Sequence, residues 1–449
     1  MHPTPDTVPI ASSQGITRWQ TPGVWGALQT RRVVILEGAR QCGKTTLAKS
    51  LQTAPGAIYR TLDDVGLQAA ARADPHGFVA HGAGLMVIDE IQRAPELLQA
   101  IKKEVDENPV PGRFLLTGSA SIQSSPGVTE SLAGRVAHQR LRPFAVGEIV
   151  GCAPTFLARA LREDWVGMAS GFTATPGAAS RCVPGAEPGS VATAPASGKD
   201  AVLLQALRGG YPEVQALSDK AVRRWHQDYV AALMARDLQD IAHIRRKDSM
   251  HKLLEVLAAW SGKLMDVSAI GGQLALSRPT LETYINALQT LFLVERVRPW
   301  AKTDYDRVSK QDKMFMLDTG LAASLLRWQF DNVRLDADLS GKLAEGFVFT
   351  QLAAQLDAQG EPCHLTHYRD REQREIDFVI ETPDGVTVGV EVKAGSAVGL
   401  DSFKHLVWFR ERMLQNKTPF VGVVLYTGEQ VLRFGEQLWA VPLHALWCE

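Results

Sequence analysis

Residues 33–46 read VVILEGARQCGKTT. Val33 to Leu36 form an unbroken apolar run of the kind buried in a parallel sheet, and the TLAKSLQ that follows reads as the start of a helix. Between them Gly38, Ala39, Arg40, Gln41, Cys42, Gly43, Lys44 and Thr45 spell G-x-x-x-x-G-K-T, with Thr46 next. That is the strand, loop and helix order of a P-loop. Its glycines let backbone N–H groups turn inward around phosphate oxygens, and the helix N-terminus adds positive potential. Lys44 reaches the outer phosphates, and Thr45 offers its hydroxyl to Mg²⁺. Few other arrangements of these residues make chemical sense, so the stretch fixes a parallel α/β sheet for this part of the chain.

Such a site needs a second strand that ends in carboxylates. Leu85 to Glu90, LMVIDE, supplies one: Asp89 to hold Mg²⁺ at the strand end and Glu90 to orient and deprotonate an attacking water. A third strand, Arg113 to Leu116, runs into Thr117-Gly118-Ser119. The three segments together resemble the AAA-type ATPases. LMVIDEIQRAPELLQAIKKEVD, FLLTGSAS and SLAGRV are similar to one prokaryotic family of them that carries a C-terminal domain of unknown function. The resemblance runs from residue 26 to 449, apart from one low-complexity stretch. It implies ATP as the nucleotide, Thr117 or Ser119 as a polar sensor of the γ-phosphate or water, and Arg135 as an arginine finger. An ordinary surface or structural arginine is the other reading of Arg135.

The low-complexity stretch lies between Gly167 and Gly198, where 25 of 32 residues are Gly, Ala, Pro, Ser or Thr. With no apolar periodicity there is nothing to offset the entropy of ordering, so a flexible insertion is expected. Over the whole chain apolar residues make up 45% and charged residues 22%, as in ordinary globular chains. Forty-eight Lys and Arg against forty-nine Asp and Glu leave a net charge of -1, which excludes a global basic field but not a local patch. The five cysteines are scattered without a CxxC pair, and the eleven histidines show no metal-ligand spacing. A reducing cytoplasm fits. The polar N-terminus and the absence of any long apolar run argue against secretion and membrane insertion.

Between Ala221 and Ile244 the stripe of Trp225, Tyr229, Ala232, Leu233 and Leu238 predicts a helix. From Lys252 to Trp300 the pattern is three helices and a strand pair, with Ser277 capping the third helix and Leu281, Ile285, Leu288 and Leu291 as its buried stripe. It resembles a winged helix-turn-helix. Its outward face, Thr280, Glu282, Thr283, Asn286 and Gln289, carries almost no positive charge, with Arg278, Arg296 and Arg298 nearby. DNA and a protein contact therefore stand as equal alternatives. GGYPE at 209–213 and KMFMLDTGL at 313–321 read as packing or turn segments, Tyr211 and Asp318 included.

In the last part Asp377, in REIDFVIE, and Glu391 and Lys393, in GVEVKA, fall on two strands of a hairpin, and Glu345 lies on an amphipathic helix ahead of them. Carboxylates on adjacent strands can hold a second Mg²⁺ or Mn²⁺ beside a scissile phosphate, with the lysine positioning water. This is the logic of the PD-(D/E)xK nucleases, and the resemblance includes such a domain. The expected fold class is therefore a multidomain α/β chain with six parts. A flexible segment, 1–25, precedes an AAA-type P-loop ATPase domain, 26–162, and the insertion, 163–200. A helical region, 201–250, a winged-helix-like region, 251–312, and a restriction-endonuclease-like domain, 313–449, complete it. The expected activity is Mg²⁺-dependent ATP hydrolysis coupled to DNA handling. The alternatives are an ATP-gated switch that binds a protein partner and a nuclease for which ATP reports energy status. Homo-oligomers stay open.

Overall fold

The computed structural model describes residues 15–52, 56–120, 132, 134–165, 198–235, 247–303, 310–360 and 362–447. All but the ends of the low-complexity insertion, and Cys182 and Cys448, lie outside them. The chain divides into two compact units: Met1–Phe144 with Thr290–Phe292, and Ala145–Gln289 with Leu293–Glu449. Among the described residues no helix is long and apolar enough to cross a membrane.

The first unit is built on a five-stranded sheet of β1 (Val33–Glu37), β2 (Ile58–Thr61), β3 (Met86–Asp89), β4 (Phe114–Gly118) and β5 (Val136–Arg140). The order is β2-β3-β4-β1-β5, and every pairing is parallel. β1, β3 and β4 are buried at every position, which is why their sequences read as solid apolar runs and not as alternation. Because β1 sits between β4 and β5 in equal register, the segments that leave the C-terminal ends of β1, β3 and β4 converge on one edge. In an open parallel sheet that edge is where ligands bind. The segment before β1 is not a free tail throughout: Trp19 is buried and a helix spans Thr21–Thr30, so the expected flexible segment 1–25 is corrected from residue 18 onward. The buried indole supplies the apolar area that ties it down.

The second unit carries a mixed nine-stranded sheet: β6 (Lys263–Leu264), β7 (Val294–Pro299), β8 (Lys313–Met316), β9 (His364–Arg369), β10 (Glu375–Glu381), β11 (Thr387–Lys393), β12 (Phe420–Tyr426), β13 (Leu432–Gly435) and β14 (Leu438–Pro442). Its order is β13-β14-β12-β11-β10-β9-β7-β8-β6. Helices Lys247–Trp260, Val267–Leu274 and Arg278–Thr290 precede the β7–β8 hairpin. Leu281, Ile285, Leu288 and Leu291 are all buried, and the Thr280 amide donates to Ser277 Oγ at 3.4 Å. In helix Asp219–Ala235 the buried stripe includes Val222, His226, Tyr229 and Leu233, whereas Ala232 is exposed; Leu238 lies outside the described residues.

Two expected boundaries are corrected. β8 pairs antiparallel with both β6 and β7, so a domain start at 313 would cut a hairpin in half. The helices Val146–Val150 and Phe156–Arg162 pack within the second unit, so the compact first unit stops short of residue 162. Buried glutamines of the long helix Ala337–Asp357 hold them: Gln351 Oε1 accepts from the Val146 amide at 2.8 Å and Gln355 Oε1 from the Phe156 amide at 3.1 Å. Each such bond contributes about 1 kcal/mol net, but losing either partner strands a buried polar group at greater cost.

Candidate functional site

The P-loop follows β1. Gly38 has no room for a side chain, since a Cβ there would lie 2.1 Å from the Leu141 carbonyl oxygen. Gly43 (φ 102°) and Gln41 (φ 61°) both take left-handed backbone, which turns the loop through its bend into helix Lys44–Ser50. Ala39 and Cys42 are fully buried, Arg40 is half-buried, and Gln41 and Thr46 are exposed. The Cys42 thiol points to the Leu141 carbonyl, so this residue has only its backbone to offer a phosphate. The Lys44 ammonium is buried and donates to the carbonyls of Gly38 (3.0 Å) and Ala39 (2.9 Å).

Opposite it, the Thr45 hydroxyl bonds to Asp89, 2.9 Å from Oδ2 and 3.1 Å from Oδ1. Asp89 is buried and also accepts from the hydroxyls of Tyr59 (2.8 Å) and Thr117. Burial and the Asp89 carboxylate push the Tyr59 phenol well above its ordinary value. Glu90 takes left-handed backbone (φ 60°, ψ 47°), which is strained for a non-glycine residue, and its amide is held at 3.1 Å by Thr117 Oγ. Ser119 Oγ donates to Glu90 Oε2 at 2.8 Å, and the Gln92 amide donates to both Ser119 Oγ (2.9 Å) and Glu90 Oε2. Thr117 therefore serves Asp89, and Ser119 serves Glu90.

Sequence reasoning missed Tyr59, Gln92 and Arg18. Gln92 stands two residues beyond Glu90, a spacing that was readable. Tyr59 depends on β2 lying beside β3, and Arg18, buried, donates to the carbonyls of Cys42 (2.7 Å) and Arg142 (2.6 Å) across a long chain separation. Arg135 is not at this edge. It precedes β5, at the opposite end of the sheet, and grips Asp106 through two bonds of 2.5 and 3.0 Å. The finger reading is corrected for the chain's own nucleotide site, because a side chain cannot reach across the length of the sheet.

These features suit ATP and Mg²⁺: a loop that admits no Cβ at its first glycine, a buried lysine on loop carbonyls, and a threonine hydroxyl facing a buried aspartate. Together they define an AAA-type P-loop ATPase domain. Residues 30–150 match a family model described as an AAA domain. Residues 200–332 and 340–446 match two further models, each described as a domain of unknown function (DUF8612 and DUF4143). Over 421 residues the chain is 28% identical to the uncharacterized protein Rv2008c of Mycobacterium tuberculosis, covering 93% of this chain and 81% of that one. The uncharacterized protein Mb2031c of Mycobacterium bovis matches to the same extent. Among solved structures, the Walker-type ATPase PABY2304 of Pyrococcus abyssi is 14% identical, with 68% of this chain and 94% of that chain covered at a TM-score of 0.40.

In the second unit Glu345, Asp377, Glu391 and Lys393 come together, but around a residue that sequence reasoning passed over. Lys313, only 1% exposed, places its ammonium 2.9 Å from Glu345, 2.6 Å from Glu375 and 3.7 Å from Asp377. Lys393 pairs with Glu391 Oε2 at 3.1 Å, and Asp377 Oδ2 accepts the Val392 amide at 2.8 Å. Ile376 and Val379 pack in one core while Phe378 and Ile380 pack in another, so the strand's alternation breaks where its register with β9 shifts. Asp377 sits at that irregularity. Among the described residues no group of three or more His, Cys, Asp or Glu side chains is arranged to hold a metal ion. The residues do not fit the second Mg²⁺ or Mn²⁺, because the Lys313 ammonium already stands among the carboxylates that would have to hold it.

Burial, reinforced by Asp377, pushes the Glu391 carboxyl up to about 8, and burial pushes Glu345 up to about 7 against the pull of Lys313. The folded state thus keeps protons that an unfolded chain releases above its ordinary value of 4.5. This stabilisation is fully present below that value and is lost as pH rises toward the folded values. Glu391→Gln should flatten the fall in melting temperature between those limits, and at the upper end it should stabilise by about 1–3 kcal/mol. Melting curves of both proteins across the window check this; parallel slopes would remove Glu391 from the account.

Proposed function

We propose that the chain is a Mg²⁺-dependent ATPase whose nucleotide state gates the C-terminal part of the protein. The observation that carries this reading is the continuous bond network from Thr45 through Asp89 and Thr117 to Glu90, at the mouth of a loop shaped for phosphate. Mg²⁺, when bound, screens phosphate charge, and Thr45 and Asp89 are the residues that would hold it. Lys44 turns its ammonium from the Gly38 and Ala39 carbonyls to the outer phosphates. Glu90 orients water and takes its proton; Ser119 and Gln92, both on Oε2, fix the carboxylate and leave Oε1 for that task. Tyr59 acts through Asp89. Tyr59→Phe should raise the Mg²⁺ concentration needed for half-maximal turnover about threefold to tenfold at unchanged ATP binding, which an Mg²⁺ titration of phosphate release measures.

The three helices and β7–β8 hairpin of the second unit support a winged-helix-like output module, and the strands beyond it a nuclease-like scaffold. A protein partner is favoured over DNA by one observation: of the three arginines near the outward face, Arg298 is exposed but Arg278 and Arg296 are engaged within the module. Arg278 pairs with Glu282 at 2.9 Å, and Arg296 donates to Asn286 at 3.2 Å. ATP hydrolysis measured with no nucleic acid and with single-stranded, double-stranded and branched DNA tests the choice. Rates within about twofold of one another are expected. Salt-sensitive stimulation beyond that would replace the protein-partner reading with DNA handling.

A further inference from the structure

Four carboxylates from three separate segments gather in the second unit: Glu345 on a helix, Glu375 and Asp377 on β10, and Glu391 on β11. Carboxylates packed this closely repel when ionised, and a fold keeps them by retaining protons on some and setting a cation among the others. Proteins use a divalent ion for this where carboxylates converge, yet here the compensation comes from within the chain. Lys313 is almost fully buried, and three of the carboxylates lie within 3.7 Å of its nitrogen. Its backbone is held in β8 between β6 and β7, and the side chain is buried out to the ammonium. Gly262 approaches Glu345 so closely that a Cβ there would lie 3.1 Å from its Oε2.

The neighbouring groups agree with this seating. Burial alone would lower the Lys313 value, but Glu345, Asp377 and Glu375 hold it above the ordinary lysine range, so the residue stays charged. Burial and the Lys313 charge push His367 down to about 4, leaving that ring neutral. One oxygen of Glu391, Oε1, is buried without a hydrogen-bond partner. Burial and the neighbouring Asp377 favour the neutral form of this carboxyl, which lowers the cost of leaving that oxygen unpaired.

We propose that Lys313 is the resident cation of this cluster: its ammonium occupies the position to which the carboxylates would otherwise draw a divalent ion, and so keeps metal out of the domain. The C-terminal scaffold then holds its shape without metal and is built for contact, not for phosphodiester cleavage. This does not depend on the ATPase reading, because the cluster and the P-loop lie in different units.

The test uses Mn²⁺ on the full chain in nucleotide-free buffer, followed by electron paramagnetic resonance and by melting temperature. Wild type should show no Mn²⁺ site that disappears in Asp377→Asn. Lys313→Met should melt at lower temperature without metal, gain one Mn²⁺ per chain, and recover several degrees of stability as Mn²⁺ is added. The gained site should vanish in Lys313→Met combined with Asp377→Asn. Wild-type binding that depends on Asp377 would overturn the proposal, as would a folded Lys313→Met protein that gains no site. Where Lys313→Met folds only with Mn²⁺ present, the metal has replaced the lysine and the proposal stands. Where it does not fold at all, the wild-type comparison with Asp377→Asn decides alone.

Discussion

Glu90→Gln should bind ATP as tightly as the wild-type protein and hydrolyse it at least about 100-fold more slowly, since a positioned general base contributes that much or more to proton transfer. The amide preserves the volume of the side chain and still accepts from Ser119 and Gln92, but it takes no proton from water. Lys44→Ala differs in kind. It removes the cation that faces the outer phosphates, so binding and turnover fall together. Ser119→Ala leaves Glu90 in place with one bond fewer and should cost about 10-fold in turnover alone. Fluorescent-nucleotide binding set against phosphate release separates the three. Hydrolysis at the wild-type rate by Glu90→Gln would falsify the role given to Glu90, whatever the other variants do.

Asp318→Ala should be among the most destabilising single changes in the second unit, by about 3–5 kcal/mol, with nucleotide binding untouched. Asp318 is 2% exposed, and its two oxygens accept from the Gly210 and Leu321 amides, each at 2.7 Å. One bond caps helix Thr319–Leu325 and the other ties down the loop of the GGYPE segment, so a single carboxylate joins two stretches of sequence that are far apart. Gly209 is held left-handed (φ +80°) against it, where a Cβ would lie 2.3 Å from Oδ1. Truncation leaves the two buried amides without their acceptor. Asp318→Asn keeps the acceptor for one of them and should lose about half as much. Differential scanning calorimetry resolves this as a fall in one transition at constant ATP affinity; a shift under about 1 °C would mean that water or backbone movement satisfies both amides.

What the sequence by itself determined is what a few consecutive residues can do. The loop from Gly38 to Thr45 works through its own backbone turn and the helix that follows, and Asp89 and Glu90 stand at the end of a strand whose apolar run announces it. Each needs only local geometry, so spacing was enough. The third helix of the middle region was legible for the same reason, because Leu281, Ile285 and Leu288 share one face of one helix. Tertiary structure decided the rest. Strand order alone brought Tyr59 to Asp89, and a fold spanning more than a hundred residues brought Arg18 beside the carbonyls of Cys42 and Arg142. The helices Val146–Val150 and Phe156–Arg162 continue the ATPase segment without a break in the chain, yet two glutamines about two hundred residues away claim them. Lys313 gave no sign in the sequence of being anything but the polar start of an apolar strand. A lysine is buried only when charges from elsewhere compensate its desolvation, and those charges came from a helix and a strand that meet it in space alone.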